Sequence, residues 1–462
     1  MIRAGKSDRT DRRYAAARSG PPLEQSAALR AFAPFQLLLI MALTSGLSLA
    51  FWFWPARLGS TLIAVAAAAF LGMALWRVVL LLVSTGRPLQ PEEPANWPQY
   101  TILAALHDEA DVVCQLIERL SRIDYPPDKL QGVLLLEAHD QATIAVARAA
   151  VRPPWLKLLL IPPGSPQTKP RALNSGLALA TGQLLTVYDA EDAPDPLQLR
   201  EAAARFAADT TGRLACLQAP LRIRAGRLFL ERQFAAEYAS LFETALPGMA
   251  RLGLPFPLGG TSNHFRVDVL RAVGGWDAWN VTEDADLGFR LAAEGYHLGV
   301  LELPTFEAAP DRLADWLPQR ARWVKGYMQT FGVQTRSPPH WRTGVMLAFG
   351  LTLGMAILAA MGHGPLLAWS LMAAAAQLWT GEDWLTAADV SLLVAGWLGA
   401  TAAAAVGVRR AGGELRMRDL LAMPLYWPLL SLAAAHAIWQ LIRCPHHWDK
   451  TRHAARTGQV AA

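Results

Sequence analysis

Four residues near the middle of the chain, Asp189-Ala-Glu191-Asp192, have the types and spacing to bind a divalent cation. They directly follow the apolar run Leu184–Tyr188. Carboxylates two positions apart at the end of a strand can both reach one Mg²⁺ or Mn²⁺, and such cations prefer hard oxygen ligands. A cation held there would bridge to a diphosphate and offset the charge on a leaving nucleotide. An acidic cap on the helix that begins near Pro196 is the simpler alternative, and it is open for Asp192 in particular.

A second acidic group, Thr282-Glu283-Asp284, precedes the apparent helix Ala285–Ala293. A carboxylate at the start of a helix is ordinarily a cap, because it accepts hydrogen bonds from the first backbone N–H groups. As a catalytic group, Asp284 could instead be the general base that takes the proton of an acceptor hydroxyl.

The third group is Gln319-Arg-Ala-Arg322-Trp323. Trp316, Gln319 and Trp323 fall at i, i+3 and i+7, which places them on one face of an amphipathic helix. Arg322 could pair with a diphosphate, and the ring of Trp323 offers an apolar face on which a sugar can stack. An interfacial helix with a tryptophan anchor and snorkelling arginines explains part of the same pattern.

Apolar runs alternate with segments of helical spacing through the middle of the chain. Strands are predicted at Gln99–Leu106, Gly132–Leu136, Leu156–Ile161 and Leu184–Tyr188. Such alternation predicts a mostly parallel sheet with helices on both faces. In sheets of this kind, ligands bind beyond the carboxyl ends of the strands.

Acidic residues follow three of the four predicted strands. They are Asp108 and Glu109 beside His107, Glu137 and Asp140 beside His139, and the group Asp189 to Asp192. Any one of these acids alone is better explained as a solvated loop residue. Three strand ends that deliver carboxylates to the same edge of a sheet predict a functional site there.

The elements around this domain are apolar: 53% of the residues are hydrophobic, and they are gathered into runs. Phe35–Trp54 carries no charge, and Thr61–Val83 is broken only by Arg77, whose long side chain can snorkel to the interface. Lys and Arg outnumber acids before Phe35, so the positive-inside rule places the N-terminus in the cytosol. Two spans return the chain to that side, and the domain that follows is predicted to be cytosolic.

The C-terminal third leaves the topology open. Further membrane segments are predicted at Gly344–Met361, Pro365–Thr380, Ala388–Val408 and Leu420–Ile442, the second short enough to be re-entrant. Four crossings place the basic tail after Arg443 inside. They also place the arginines at 409, 410, 416 and 418 outside, against the positive-inside rule. If one segment is re-entrant or interfacial, both basic clusters lie inside.

The predicted organisation is that of a multi-pass protein of the inner (plasma) membrane. Its parts are a basic cytosolic segment (1–34), two transmembrane helices (35–85), a cytosolic catalytic domain (86–310), amphipathic interfacial helices (311–340), three to four transmembrane or re-entrant helices (341–443) and a basic cytosolic tail (444–462). Cys114, Cys216 and Cys444 lack the spacing of a metal site. No basic stripe with interleaved aromatics appears, so nucleic acid is not an expected partner.

In their order, these motifs resemble the processive, membrane-integrated branch of glycosyltransferase family 2, the group of cellulose, curdlan and hyaluronan synthases. The matching parts are the acidic strand ends, Lys169-Pro-Arg-Ala-Leu-Asn174, Asp189-Ala-Glu191-Asp192, Gly259-Gly-Thr-Ser-Asn-His-Phe-Arg266, Thr282-Glu-Asp284 and Gln319-x-x-Arg322-Trp323. They extend over about residues 98–330, and the flanking spans fit as well. The most specific feature is the Thr-Glu-Asp and Gln-x-x-Arg-Trp pair followed by membrane spans.

The resemblance implies an α/β domain of the GT-A type, Rossmann-like, inserted between transmembrane helices, and a role for each matching residue. Asp284 would be the catalytic base, and Asp189 and Glu191 would bind Mg²⁺ or Mn²⁺ where the family has Asp-x-Asp. Further residues implied on the donor side are Glu109, Glu137, Lys169, Asp189, Gln319 and Arg322. Those implied on the acceptor side are Gly260, Thr261, Ser262, Thr282, Glu283 and Trp323. Glu191 and Glu137 stand where the family usually has Asp, so the metal geometry is where this chain departs from the family pattern.

The implied function is inverting transfer of a sugar, glucose at the level of the family, from a UDP-sugar to a growing β-linked polysaccharide. Translocation of the product, contact with membrane lipid and other polysaccharide export subunits as partners would accompany it. A non-processive enzyme that adds one sugar to a lipid shares all of the donor chemistry and is the alternative. A transporter or channel subunit whose domain has lost catalysis is disfavoured, because every expected acid is present.

Overall fold

The computed structural model describes residues 20–28, 32–86, 91–150, 153–224, 226–336 and 343–447. The predicted basic N-terminal segment before residue 20 and the tail after residue 447 lie outside the described residues. The elements, in chain order, are α1 (Pro34–Phe53), α2 (Pro55–Val83), β1 (Tyr100–Leu106), α3 (Val113–Ser121), β2 (Leu130–Glu137), α4 (Gln141–Ala149), β3 (Leu156–Ile161), α5 (Lys169–Leu179), β4 (Leu184–Val187), β5 (Ala193–Pro194), α6 (Gln198–Ala208), β6 (Leu214–Gln218), β7 (Leu221–Arg224), α7 (Phe229–Ser240), α8 (Leu246–Arg251), β8 (Asn263–Arg266), α9 (Val267–Ala272), α10 (Glu283–Ala293), β9 (His297–Val300), β10 (Thr305–Ala308), α11 (Leu313–Gln334), α12 (Thr343–Phe349), α13 (Met355–Thr380), α14 (Ala387–Arg410) and α15 (Met417–Arg443).

The central sheet has seven strands in the order β3-β2-β1-β4-β8-β6-β9. Strands β1 to β4 run parallel to one another, β8 runs antiparallel between β4 and β6, and β6 pairs with β9 in parallel. Strands buried on both faces read as nearly continuous apolar runs, which is why β1 to β4 were recognisable in the sequence. The carboxyl ends of β1, β2 and β4 therefore meet at one edge, as the alternation of strands and helices predicts.

A small second sheet stands at that edge. It has the order β5-β10-β7, with β10 antiparallel to β5 and parallel to β7. Phe306 pairs with Ala193, the residue that follows the acidic turn Asp189–Asp192. This pairing brings the next residue of β10, Glu307, to the acidic turn from more than a hundred positions away in the sequence.

Within the described residues, five helices are long and apolar enough to cross a membrane, as expected of a membrane protein: Pro34–Phe53, Pro55–Val83, Thr343–Thr380, Ala387–Arg410 and Met417–Arg443. Large apolar side chains on these helices are exposed, among them Leu38, Trp52 and Trp379. Exposed apolar surface of this extent is what a bilayer covers.

The predicted segments Gly344–Met361 and Pro365–Thr380 are in fact one helical stretch, Thr343–Thr380, which contains Pro365. The sequence prediction placed a break there because proline removes a backbone N–H and clashes with the preceding turn. A neighbouring helix compensates at that point. Ser431 Oγ on α15 donates to Ala360 O at 2.6 Å and accepts from Gly364 N at 2.8 Å. Such interhelical bonds are how membrane helices tolerate proline.

Helix α15 contacts the catalytic domain at both ends. Near its start, Asp419 pairs with Arg232 on α7 at 2.8 Å. Beyond its end, His447 O accepts from Lys325 Nζ on α11 at 2.7 Å. Its exposed apolar side chains recur on one face: Met417, Leu421, Leu425, Leu432, Trp439 and Ile442. Helix α15 therefore combines contacts to the domain with an exposed apolar face.

Candidate active site

A cavity of ≈ 490 Å³ lies at the carboxyl edge of the sheet, under α11. Among the residues predicted from the sequence, those that line it are Glu109, Glu137, Lys169, Asp189, Glu191, Gly260, Thr261, Thr282, Glu283, Asp284, Gln319, Arg322 and Trp323. Ser262 does not line it. Its backbone has φ 55°, and its fully buried hydroxyl donates to Thr305 Oγ1 at 2.6 Å, away from the cavity. A lone turn residue has no periodicity from which this direction could have been predicted.

Lys169 stands at the centre of the cavity. Its ammonium pairs with Asp189 and donates to Gly260 O at 2.7 Å. Burial opposes the charged form, but the carboxylates of Asp189 and Glu283 outweigh it and raise the pKa of Lys169 above its usual range. One cation therefore ties the end of β4 to the Gly-Gly segment that precedes β8.

Asp192 holds the acidic turn in shape. Its Oδ2 accepts from Asp189 N at 2.7 Å and from the Thr261 hydroxyl. Burial, together with the charges of Asp189 and Glu191, raises the pKa of Asp192 well above its usual range. Helix α6 begins only at Gln198, so the alternative that made Asp192 an N-cap of this helix is wrong. The Thr261 hydroxyl, predicted near an acceptor, is engaged by this carboxylate.

Glu283 and Asp284 begin α10 and face Lys169 across the cavity. A Cβ added to Gly260 would lie 3.3 Å from Asp284 Oδ2 and 3.9 Å from Lys169 Nζ, so the glycine leaves a narrow space between them. Burial and the neighbouring Asp284 raise the pKa of Glu283 to about 8. Burial also raises the pKa of Asp284, although the charges of Lys169 and Arg322 oppose that shift.

Helix α11 forms the opposite wall with Gln319, Arg322 and Trp323. The buried Gln319 Oε1 has no hydrogen-bond partner among the residues that the structure describes. A buried polar atom without a partner is costly, and a ligand hydroxyl or amide in the cavity would satisfy it.

The position of α11 depends on a close approach at Gly326. A Cβ added there would overlap the Oγ1 and Cγ2 atoms of Thr282. Nearby, Asn280 Nδ2 donates to Thr330 Oγ1 at 2.9 Å, and Val281 N donates to Gln329 Oε1 at 3.2 Å. The segment that carries Asp284 and the helix that carries Arg322 are thus fixed to each other.

Three further residues at the site were not predicted from the sequence. Arg171 makes a bidentate pair with Glu137, at 2.9 and 2.8 Å, and so fixes this strand-end acid. Glu307 on β10 lines the cavity, and burial together with Asp192 and Glu191 raises its pKa well above its usual range. Arg171 lies within the quoted Lys-Pro-Arg motif, so its spacing offered a signal, whereas Glu307 depends on a strand pairing that the sequence does not display.

The third is Arg320, which supports Trp323 from behind. Its guanidinium lies 4.4 Å from the Trp323 ring centroid and 4.6 Å from that of Phe234. It also pairs with both carboxylate oxygens of Glu237 on α7, each at 2.7 Å. Arg320 therefore fixes the orientation of the predicted acceptor-lining ring.

The charge of the cavity suits a divalent cation. Eight of its lining residues are acidic, at positions 108, 109, 137, 189, 191, 283, 284 and 307, against the two cations Lys169 and Arg322. The carboxylate oxygens of Asp189 and Glu191 are the hard ligands that such ions prefer. A second group, His107, Asp108 and Asp140, has ligand atoms within 4.8 Å of one another. In that group Asp140 also caps α4, because it accepts from Thr143 N at 3.1 Å.

The fold has a counterpart among solved structures. The mannosyltransferase PcManGT from Pyrobaculum calidifontis, solved in complex with GDP-Man and Mn²⁺, aligns with a TM-score of 0.53 at 18% identity, over 82% of this chain and 97% of that one. The predicted GT-A fold class is confirmed.

Sequence comparison points in the same direction. Residues 184–408 match the family described as "Glycosyl transferase family group 2", and this match together with the following relatives supports a glycosyltransferase. It is 28% identical over 302 residues to beta-monoglucosyldiacylglycerol synthase of Synechocystis sp., covering 63% of this chain and 60% of the relative. It is 26% identical over 294 residues to the UDP-forming cellulose synthase 1 catalytic subunit of Komagataeibacter xylinus, covering 61% of this chain and 37% of the relative.

The close approach at Gly326 yields a prediction. Gly326→Ala forces α11 away from Thr282, which moves Gln319 and Arg322 relative to Asp284. Misplacement of catalytic groups by about 1 Å costs about 100-fold in rate, so kcat/KM for sugar transfer should fall by that order. The control is Gly72→Ala in α2, where no atom lies within 4 Å of an added Cβ and activity should persist. If Gly326→Ala had wild-type activity, this would contradict the conclusion that the contact between Gly326 and Thr282 fixes α11 relative to Asp284.

Proposed function

We propose that this chain transfers a sugar, glucose in the first instance, from a UDP-sugar to a membrane-associated acceptor with inversion at the anomeric carbon. One observation carries the proposal: Asp189, Lys169, Asp284 and Arg322 converge on one cavity. That cavity contains the parts that transfer requires, which are a cation site, a base and a cationic partner for a diphosphate. The catalytic domain would face the cytosol, where nucleotide sugars are made.

The donor would lie along the acidic edge of the sheet. Glu109 and the Arg171–Glu137 pair would hold the nucleoside end, and Arg322 with Gln319 would bind the pyrophosphate. Asp189 and Glu191 fit a bound Mg²⁺ or Mn²⁺, which would supply Lewis-acid stabilisation of the leaving diphosphate. The longer Glu191 side chain reaches that position with an extra methylene compared with Asp.

In the reaction, Asp284 accepts the proton of the acceptor hydroxyl as its oxygen bonds to the anomeric carbon. The bond between that carbon and the diphosphate oxygen breaks, and its electron pair leaves with UDP. Arg322 stabilises the charge that develops on the diphosphate, and Lys169 keeps Asp189 and the Gly260 carbonyl in position. The Trp323 ring, held by Arg320, would stack against the acceptor sugar.

Two acceptors fit this chemistry. A growing β-linked polysaccharide, with translocation, follows from the order of the motifs and from the cellulose synthase relative. A single transfer to a lipid follows from the glucosyldiacylglycerol synthase relative. The apolar half of the cavity, lined by Tyr238, Leu241, Phe242 and Leu258, suits a lipid-borne acceptor.

The test is a donor and product screen on the full chain in detergent with Mg²⁺. UDP-glucose and other UDP-sugars are supplied with and without diacylglycerol, and both UDP release and product size are measured. Polymer of increasing length supports the polysaccharide, and one sugar on lipid supports the alternative. Failure with every common UDP-sugar would overturn the assignment of the donor.

Replacing the base should abolish transfer. In Asp284→Asn the acceptor hydroxyl keeps its proton, so kcat should fall by about 10²–10⁴-fold, while affinity for UDP is retained. The control is Asp268→Asn on α9, an exposed carboxylate that should leave both quantities unchanged. Full activity of Asp284→Asn would favour a domain that has lost catalysis.

The Glu283 carboxyl should make donor binding depend on pH. Its pKa of about 8, raised by burial and by Asp284, means that it is neutral at pH 7 and ionises as the pH rises through that value. The added negative charge repels a diphosphate, so the affinity for UDP with Mg²⁺ should fall on the alkaline side. Titration calorimetry on Glu283→Gln should show no such fall, whereas the exposed control Glu294→Gln should retain it. If the affinity of Glu283→Gln for UDP also fell at high pH, ionisation of Glu283 would not be the cause.

A further inference from the structure

Arg77 is an arginine inside a membrane helix. It lies six residues before the end of α2 at Val83, which is about 9 Å along the helix axis. A charged side chain at this depth is expensive unless it is paired, and such residues commonly mark functional sites. Arg77 is half-buried, so it is not simply extended into lipid.

Within the described residues, Arg77 has no hydrogen bond and no ion pair. Its electrostatic partner is Glu237 on α7, but that carboxylate is already engaged. Both Glu237 oxygens accept from Arg320, and the Tyr426 hydroxyl donates to Oε2 at 2.8 Å. The Glu237 carboxylate offsets the charge of only one of the two arginines, Arg77 and Arg320. One unit of positive charge therefore remains among these three residues.

The facing helix adds a second unsatisfied group. His363 on α13 interacts electrostatically with Arg77 and stacks on Trp427 at 5.5 Å between ring centroids. Its buried Nδ1 has no hydrogen-bond partner among the described residues. At neutral pH an imidazole adds hydrogen-bonding capacity without a full charge.

These residues form a small polar space, which we call the polar vestibule: Arg77, Glu237, Arg320, His363 and Tyr426. Helix α2 packs mainly against α14, α8 and α1, whereas α13 packs against α15 and α11, so the vestibule lies between two groups of helices. The Glu237 side chain is 37% exposed although it is surrounded by membrane-associated helices. An exposed carboxylate at this position shows that the vestibule is open.

The vestibule adjoins the acceptor side of the catalytic cavity. Arg320 belongs to both, because it pairs with Glu237 and stacks on Trp323. Tyr238, which follows Glu237 in α7, lines the cavity and packs against Trp323 with ring centroids 6.0 Å apart. A molecule bound at Glu237 and Arg320 would therefore lie next to Tyr238 and Trp323, which line the acceptor side of the cavity.

We propose that the polar vestibule binds the phosphate group of an anionic membrane phospholipid, with Arg77 as the principal cationic ligand and His363 as a hydrogen-bonding partner. The net positive charge calls for one anion, and the two groups without hydrogen-bond partners interact electrostatically from different helices. The position near the cytosolic-domain end of α2 is where lipid phosphates lie, while acyl chains would extend along the exposed apolar helix faces.

The test measures lipid retention by the purified full chain. The protein is reconstituted into nanodiscs of phosphatidylcholine with phosphatidylglycerol, re-extracted and washed in detergent, and the retained phospholipid is quantified by mass spectrometry. Arg77→Gln should retain roughly fivefold less phosphatidylglycerol, since one basic side chain near the surface contributes about that factor. His363→Ala should lower retention in the same direction, and Arg77→Lys should partly restore it.

The matched control is Arg57→Gln, an exposed arginine at the other end of the same helix, which should retain the wild-type amount. Equal retention by wild type, Arg77→Gln and His363→Ala would overturn the proposal and leave Arg77 as a snorkelling residue only. Arg77-dependent binding of inorganic phosphate to lipid-loaded protein, without displacement of phosphatidylglycerol, would also overturn it. Should Arg77→Gln fail to fold, as judged by loss of UDP binding, His363→Ala and Arg77→Lys decide the outcome.

The inference goes beyond the proposed function and can fail separately. Lipid retention needs neither donor nor turnover, so Asp284→Asn should retain phosphatidylglycerol like the wild type. A wild-type chain that retains phosphatidylglycerol through Arg77 but transfers no sugar refutes the proposed chemistry alone. A wild-type chain that transfers sugar but retains no more phosphatidylglycerol than Arg77→Gln refutes the vestibule alone.

Discussion

The site depends on the balance of charge around Lys169. This residue is the first of helix α5, where the partial positive charge of the helix N-terminus disfavours a cation. It remains charged there because it pairs with the Asp189 carboxylate, and it also donates to Gly260 O. Three distant parts of the sheet edge are thereby connected by one ammonium group. The remaining excess of carboxylates suits a divalent cation.

The second requirement is that α11 stays against the domain. Gly326 permits contact with Thr282, and the Arg320–Glu237 pair joins the same helix to α7. Helix α15 completes the arrangement, since Trp316 Nε1 donates to the Tyr426 hydroxyl at 3.0 Å. The helix proposed to bind the diphosphate is thus held partly by α15. A change in the packing of α15 would be transmitted to Arg322 through α11 as a rigid body.

The features that the sequence predicts well are those determined by residues close together in the chain. Buried parallel strands are apolar runs, and ligands collect at their carboxyl ends, so Glu109, Glu137 and Asp189 could be placed at one edge without coordinates. What it does not predict depends on partners far along the chain. Glu307 reaches the site through a strand pairing with Ala193, and Pro365 stays in a helix because Ser431 satisfies the neighbouring backbone groups. Ser262 was misplaced because the direction of one side chain in a turn with positive φ has no sequence period.

The two ends of the site carry charge of opposite sign, and this difference determines which ligand would bind at which end. The edge of the sheet is acidic, so it accepts a diphosphate only together with a divalent cation. The membrane side carries Arg77 and Arg320 against the single carboxylate of Glu237, so it accepts an anion without a metal. Trp323 lies between them, stacked on Arg320 and lining the cavity that also contains Asp284. On the proposed assignments, a nucleotide sugar with its metal and an anionic lipid would bind at different positions and would not compete.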